Sequence, residues 1–222
     1  MTAATNNGVT KFIIVRHGET VANRDHILQG WMESPLTDNG ILQAQRAAVY
    51  LQHATFTAAY SSDLSRAKNT VQEILKYHPD VPLTLEKSLR EWHLGILQGQ
   101  KNAVLHEKYP ELMSAFRNEH CSPDIPGGEK RSDFQARINA IFKDLAERHP
   151  GETILVCTHG GALQRIFRMV TGLLDENNIL PASTNASISM IEFQHEVKKW
   201  RLLNWNITDH LNGLNLNELF VH

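Results

Sequence analysis

The sequence is poor in cysteine and has no long apolar run. Cys121 and Cys157 are the only cysteines among 222 residues, and two distant thiols make neither a disulfide framework nor a zinc site. No apolar run approaches the roughly 20 residues that span a bilayer. The first ten residues are polar and small, unlike a secretory signal. We therefore expect a cytoplasmic protein outside the membrane, with Cys157 buried inside its apolar run.

The chain also lacks a strong net charge. Its formal charge is -2, so no global basic field attracts nucleic acid or anionic lipid, and we expect neither as a partner. Apolar residues make up 41% and charged residues 21%, a balance typical of folded rather than disordered chains. The histidines show no metal-like spacing, which predicts no metal site. Any attraction for an anionic substrate must come from a few local side chains.

Apolar runs of strand and helix type alternate along most of the chain. Strands are predicted at residues 11–15, 56–60, 81–85 and 152–157, and an antiparallel hairpin at 187–193 and 200–205. A polar loop is expected from the first strand to Pro35. Helices are predicted from an N-cap at Thr37 to Leu51, and at 63–77, 101–120 (interrupted at Pro110), 132–148 and 161–171, the last one ended by Gly172.

This alternation predicts a three-layer α/β/α sandwich, with a mostly parallel central sheet and helices on both faces. The absence of a repeat or a linker favours one domain over residues 1–222. The segment from about 91 to 130 interrupts the alternation, so we interpret it as a small cap insertion over the active end. In such sheets ligands bind beyond the carboxyl ends of the strands.

Side chains suited to phosphate follow the predicted strands. Arg16 and His17 follow the first strand, Arg66 lies one helical turn after the second, and His159 follows the 152–157 strand. Arginine offers a planar fork of donors that suits a phosphate dianion. Imidazole is either neutral and nucleophilic or charged and stabilising near neutral pH. The residue types therefore indicate a site for phosphoryl chemistry.

The run Arg16-His17-Gly18-Glu19-Thr20 resembles the signature of the histidine phosphatase superfamily, also called phosphoglycerate mutase-like. Further segments resemble that family's motifs in the same order along the chain, from about residue 11 to 205, which makes the likeness specific. These segments are Ser34-Pro35-Leu36-Thr37, Ser61-Ser62-Asp63-Leu64-Ser65-Arg66-Ala67, Leu89-Arg90-Glu91, Pro126-Gly127-Gly128-Glu129 and Thr158-His159-Gly160-Gly161.

The resemblance implies a mechanism without metal or cofactor. His17 would attack phosphorus and become a phosphohistidine, and Glu91 would protonate the leaving oxygen and then help to activate water. Arg16, Arg66 and His159 would hold the non-bridging oxygens. Further residues are expected at the phosphate or the substrate: Asn23, Gln29, Gly30 and Gly160.

Three functions are compatible with this resemblance. The first is a phosphatase for a small phosphorylated metabolite, the second is a mutase that returns the phosphoryl group to another hydroxyl, and the third is an inactive relative used for binding. The resemblance favours the phosphatase, because cofactor-dependent mutases have a longer insertion between the positions of Arg66 and Glu91. The substrate stays open, as does the assembly state, for which a homodimer is one alternative. Trp31, Trp92 and His93 are expected near the pocket mouth.

Arg66 and Glu129 could also have purely structural roles. Arg66 would then form a surface ion pair with Asp63, three residues earlier on the same helix. Glu129 is expected to cap the helix that begins near Ser132.

Overall fold

The computed structural model describes residues 8–117, 123–174 and 179–216. The predicted alternation and hairpin are confirmed, and so is the three-layer α/β/α sandwich. Cys121 and the end of the 101–120 helix lie outside the described residues. The strands are β1 (Val9–Arg16), β2 (Ala58–Ser61), β3 (Leu83–Leu85), β4 (Thr153–Thr158), β5 (Ile188–Gln194) and β6 (Lys199–Ile207). The helices are α1 (Val21–Arg24), α2 (Asp38–Leu51), α3 (Ser65–Leu75), α4 (Asn102–Lys108), α5 (Pro110–Arg117), α6 (Arg131–Arg148) and α7 (Gly160–Thr171).

The strands form one sheet in the order β3-β2-β4-β1-β5-β6. The first four in this order are parallel, and β5 and β6 are antiparallel. The side chains of β1 alternate between two apolar cores, one on each face of the sheet. Phe12 and Ile14 pack on the face that α6 and α7 cover, whereas Val15 packs with α2 and α3. A strand buried on both faces explains the unbroken apolar run in β1.

The parallel register brings the ends of β1, β4 and β2 together. Arg16 is paired with Thr158, and Ser61 with Cys157. The residues that follow these strands therefore meet at one edge of the sheet, as expected for an α/β fold. Cys157 is fully buried, as predicted.

One local prediction was wrong. The expected loop before Pro35 contains the short helix α1, because Thr20 caps it reciprocally with Asn23. In α2, whose N-cap Thr37 is confirmed, the apolar side chains of Ile41 and Leu42 are exposed. The buried stripe of α2 consists of Leu51 and of small and amide residues that allow close packing: Gly40, Gln43, Ala44, Ala47 and Ala48.

The range predicted as a cap contains two short helices, α4 and α5, and a 3₁₀ helix, Gly95–Leu97. Its status as an insertion within a single 1–222 domain stays a prediction. No helix among the described residues is long and apolar enough to cross a membrane. The cytoplasmic location and the homodimer also stay predictions.

The start of α2 packs directly on the backbone that follows β1. A Cβ atom on Gly40 would lie 1.9 Å from the carbonyl oxygen of Glu19. By contrast, a Cβ atom on Gly172 would meet nothing within 4 Å, although its φ of 71° is unfavourable for other residues. We therefore expect Gly40→Ala to destabilise the fold by about 2–3 kcal/mol and Gly172→Ala by about 1 kcal/mol. Urea unfolding of both variants measures these values, and a larger loss in Gly172→Ala would contradict the packing argument.

Candidate active site

His17 is buried at the end of β1, with 2% of its surface exposed. Its Nδ1 atom lies 2.7 Å from the carbonyl oxygen of Gly18. A carbonyl oxygen can only accept, so Nδ1 must carry the proton of this hydrogen bond. In the neutral ring the lone pair is then on Nε2. This is the arrangement that a nucleophilic imidazole needs.

His159 lies beside His17, and the two ring centroids are 5.1 Å apart. Its Nδ1 accepts a hydrogen bond from Nε of Arg66 at 3.2 Å, and its Nε2 is 2.8 Å from the hydroxyl oxygen of Ser62. An Nδ1 that accepts carries no proton, so His159 is neutral and donates through Nε2. His159 therefore orients Arg66, while a direct contact of His159 with phosphate stays a prediction.

Two arginine side chains are buried next to these histidines. Arg66 donates to the carbonyl oxygens of Gly30 at 2.7 Å and Met32 at 3.0 Å, as well as to His159. Arg16 donates to the carbonyl oxygen of Ser183, and its buried Nε has no hydrogen-bond partner. Burial lowers the pKa of each guanidinium to about 10, against an opposing effect of Glu91. Both therefore remain charged near neutral pH and are held largely by neutral groups.

The environment keeps both histidines uncharged. Burial lowers the pKa of His17 well below its usual value, and the charges of Arg66 and Arg16 lower it further. The pKa of His159 is lowered in the same way, first by burial and then by Arg66. An imidazole that stays neutral near pH 7 keeps its Nε2 lone pair available.

Glu91 reaches the site from the segment after β3. Its two carboxylate oxygens accept from the backbone N–H groups of Gly161 and Trp92, each at 2.9 Å. The loop itself is held by Arg137 of α6, which donates to the carbonyl oxygens of Ser88, Arg90 and Glu91. Arg137 was not predicted from the sequence, because a single arginine on an amphipathic helix carries no signal of its own.

The other predicted residues also lie at this site. The side-chain oxygen of Asn23 accepts a hydrogen bond from the backbone N–H of Thr20. The side-chain oxygen of Gln29 accepts one from the hydroxyl group of Thr20. The amide nitrogens of Asn23 and Gln29 are thus the groups they can offer to a ligand. Gly160 begins α7, so its N–H has no partner within the helix. One cavity is lined by Arg16, His17, Asn23, Gln29, Gly30, Arg66, Glu91, Trp92 and Gly160, although not by Trp31, His93 or His159.

Two simpler interpretations were wrong. Asp63 does not pair with Arg66. Its two carboxylate oxygens accept instead from Nε and Nη2 of Arg90, each at 2.6 Å. Glu129 does not cap α6, whose N-cap is Lys130, since its carboxylate pairs with Arg137. Within the described ranges no three His, Cys, Asp or Glu side chains are grouped to hold a metal ion.

Comparisons with known proteins point to one family. Residues 12–208 match the family described as the histidine phosphatase superfamily (branch 1). A metal-independent phosphoserine phosphatase of Arabidopsis thaliana is 36% identical over 210 residues, 93% of this chain and 85% of that protein. Phosphoglycerate mutase-like protein 4 of the same plant is 32% identical over 204 residues, covering 90% of this chain and 86% of its own length.

Solved structures are similar over nearly their full length. YhfR of Bacillus stearothermophilus has a TM-score of 0.84 at 27% identity, with 91% of this chain and 99% of that chain covered. A mycobacterial glucosyl-3-phosphoglycerate phosphatase has a TM-score of 0.79 at 27% identity, with coverage of 89% and 99%.

The lowered pKa of His17 has a consequence for stability. The unfolded chain takes up a proton near pH 6.5, whereas folded His17 does so only at lower pH, so the free energy of unfolding falls as the pH drops below 6.5. His17→Gln removes this titration. We expect the variant to lose less stability than the wild type, by up to about 1.4 kcal/mol per pH unit below 6.5. Urea unfolding at pH 7.5, 6.5 and 5.5 measures the difference, and equal losses in both proteins would contradict a neutral buried His17.

Proposed function

The chain belongs to the histidine phosphatase superfamily, and we propose that it hydrolyses small phosphate monoesters through a phosphohistidine formed at Nε2 of His17. The observation that carries this proposal is the bare Nε2 of a neutral His17 beside two buried guanidinium groups. A nucleophile without a proton and two fixed cations are what transfer of a phosphoryl group from its ester to a histidine requires.

The reaction proceeds in two steps. In the first, Nε2 of His17 bonds to phosphorus as the ester P–O bond breaks, and Glu91 gives its proton to the leaving oxygen. Arg16 and Arg66 balance the charge on the non-bridging oxygens. In the second, Glu91 takes a proton from water, the water oxygen bonds to phosphorus, and the P–N bond breaks to release phosphate and neutral His17.

Hydrolysis is favoured over transfer to a second hydroxyl. Between Arg66 and Glu91 the chain forms only the rest of α3, the strand β3 and one 3₁₀ helix, Lys87–Leu89, so no inserted domain closes over the cavity there. Water then has access to the phosphohistidine. The names of the relatives make phosphoserine and phosphoglycerates the first compounds to assay.

A role as an inactive binding protein is less well supported. Such a protein has no need for a nucleophile, an acid and two cations around one cavity, yet His17, Glu91, Arg16 and Arg66 all line it. Keeping charged groups buried is costly, which argues for a use in catalysis.

Replacement of His17 tests the nucleophile. His17→Ala should lower phosphate release from 4-nitrophenyl phosphate by at least about 10³-fold, because the variant lacks the nitrogen on which the covalent intermediate forms. Rapid quenching of the wild type with ³²P-labelled substrate should trap an acid-labile phosphoprotein that is absent from the variant. His53→Ala, at an exposed histidine after α2, is the matched control and should keep both signals. Isomerisation of phosphoglycerate without net phosphate release would instead support a mutase.

Replacement of Glu91 tests the acid. Glu91→Gln should lower kcat/KM for an alkyl phosphate by about 10²–10⁴-fold, because an alkoxide leaves poorly without a proton. For 4-nitrophenyl phosphate, whose leaving group needs no proton, the loss should stay below about tenfold. Steady-state assays with both substrates give the two ratios. An equal loss with both would show that Glu91 does not protonate the leaving oxygen.

A further inference from the structure

The cavity beside His17 has an apolar wall that begins next to the catalytic acid. Trp92 directly follows Glu91, and its ring is held firmly in place. Its Nε1 donates to the carbonyl oxygen of Glu129 at 2.7 Å, and Phe116 stacks on it with ring centroids 5.3 Å apart. The wall consists of Ile27, Leu28, Trp92, Leu94, Phe116 and Leu180. A leaving group whose oxygen meets Glu91 therefore has its carbon skeleton next to apolar side chains.

The charges of the cavity are concentrated around His17. Among the side chains that the structure describes, Arg16 and Arg66 are the only cations that line the cavity. The phosphoryl dianion uses both cations. A second anionic group on the substrate would then lie in a partly buried space without a cation to balance it, which is unfavourable.

The remaining polar side chains of the cavity are neutral. Asn102, Gln164 and Ser183 can bind a hydroxyl or carbonyl group, although they offer no net charge. The cavity encloses about 270 Å³, which limits the leaving group to a small molecule.

From this wall and this distribution of charge, we infer that the preferred substrate is the phosphate ester of an uncharged, largely apolar alcohol. The inference rests on the proposed phosphatase function and narrows it. Phosphoserine and phosphoglycerates, which carry a carboxylate, are then poorer substrates than neutral alkyl esters of similar size.

Two esters of equal shape test whether the cavity prefers an apolar leaving group to an anionic one. In 3-carboxypropyl phosphate a carboxylate replaces the isopropyl end of 4-methylpentyl phosphate, and both leaving groups are primary alcohols. We expect kcat/KM to favour 4-methylpentyl phosphate by at least about tenfold, since each apolar carbon placed on the wall contributes about fourfold. The linear series propyl, butyl and pentyl phosphate should rise by about fourfold per methylene. A ratio near one, or a preference for the carboxylate, would overturn the inference.

Failure of the inference is distinct from failure of the phosphatase proposal. Turnover of 4-nitrophenyl phosphate with neither alkyl ester hydrolysed overturns the inference alone. No turnover of any of these esters, together with no phosphohistidine, overturns the proposed function and the inference with it.

An added cation at the wall gives a second test. Leu180 is 51% exposed, so Leu180→Arg can place a guanidinium at the cavity without overpacking. We expect this variant to lower the preference for 4-methylpentyl phosphate by at least about fivefold, because the new charge balances the carboxylate. Val197→Arg is the control. Val197 is exposed in the turn between β5 and β6, at the opposite end of β1 from His17. This variant adds the same charge and should leave the preference unchanged. Equal shifts in the two variants would overturn the role of the wall.

Discussion

Two guanidinium groups buried at one edge of a parallel sheet constrain everything else in this site. Arg16 and Arg66 keep their charge although they are nearly excluded from water, and mostly neutral dipoles hold them. Burial lowers the pKa values of His17 and His159, and the field of the two arginines lowers them further. A phosphate dianion compensates the two buried charges. The same feature thus prepares the nucleophile and selects the group that it attacks.

The fold supplies this arrangement through strand ends and backbone contacts. The parallel pairing of β1 with β4 brings Arg16 and His17 next to His159, and Arg66 reaches the site from the first turn of α3. Glu91 lies outside the sheet and depends on a different anchor. Arg137 fixes the carbonyl oxygens of its loop, which connects the acid to α6. Rigid elements therefore position the cations, and one long side chain positions the acid.

Much of this could be predicted from the sequence, because strand ends in an alternating α/β chain have a fixed meeting place. Apolar runs revealed β1 and β4, and the polar residues directly after them were therefore expected to share one edge. The partner of each side chain could not be predicted. Asp63 was expected on the same helix as Arg66, yet α3 begins only at Ser65, and the carboxylate of Asp63 accepts from Arg90 instead. The proton position on His17 likewise depends on a backbone oxygen that no residue pattern reveals.

The central claim is that Gly18 holds the proton of His17 on Nδ1 and leaves Nε2 to attack phosphorus. The site of phosphorylation on the ring tests this claim most directly. In a ¹⁵N-histidine-labelled protein trapped as the phosphoenzyme, coupling between ³¹P and ¹⁵N identifies the bonded nitrogen. We expect the phosphoryl group on Nε2, with Nδ1 still protonated. A phosphoryl group on Nδ1 would contradict the account.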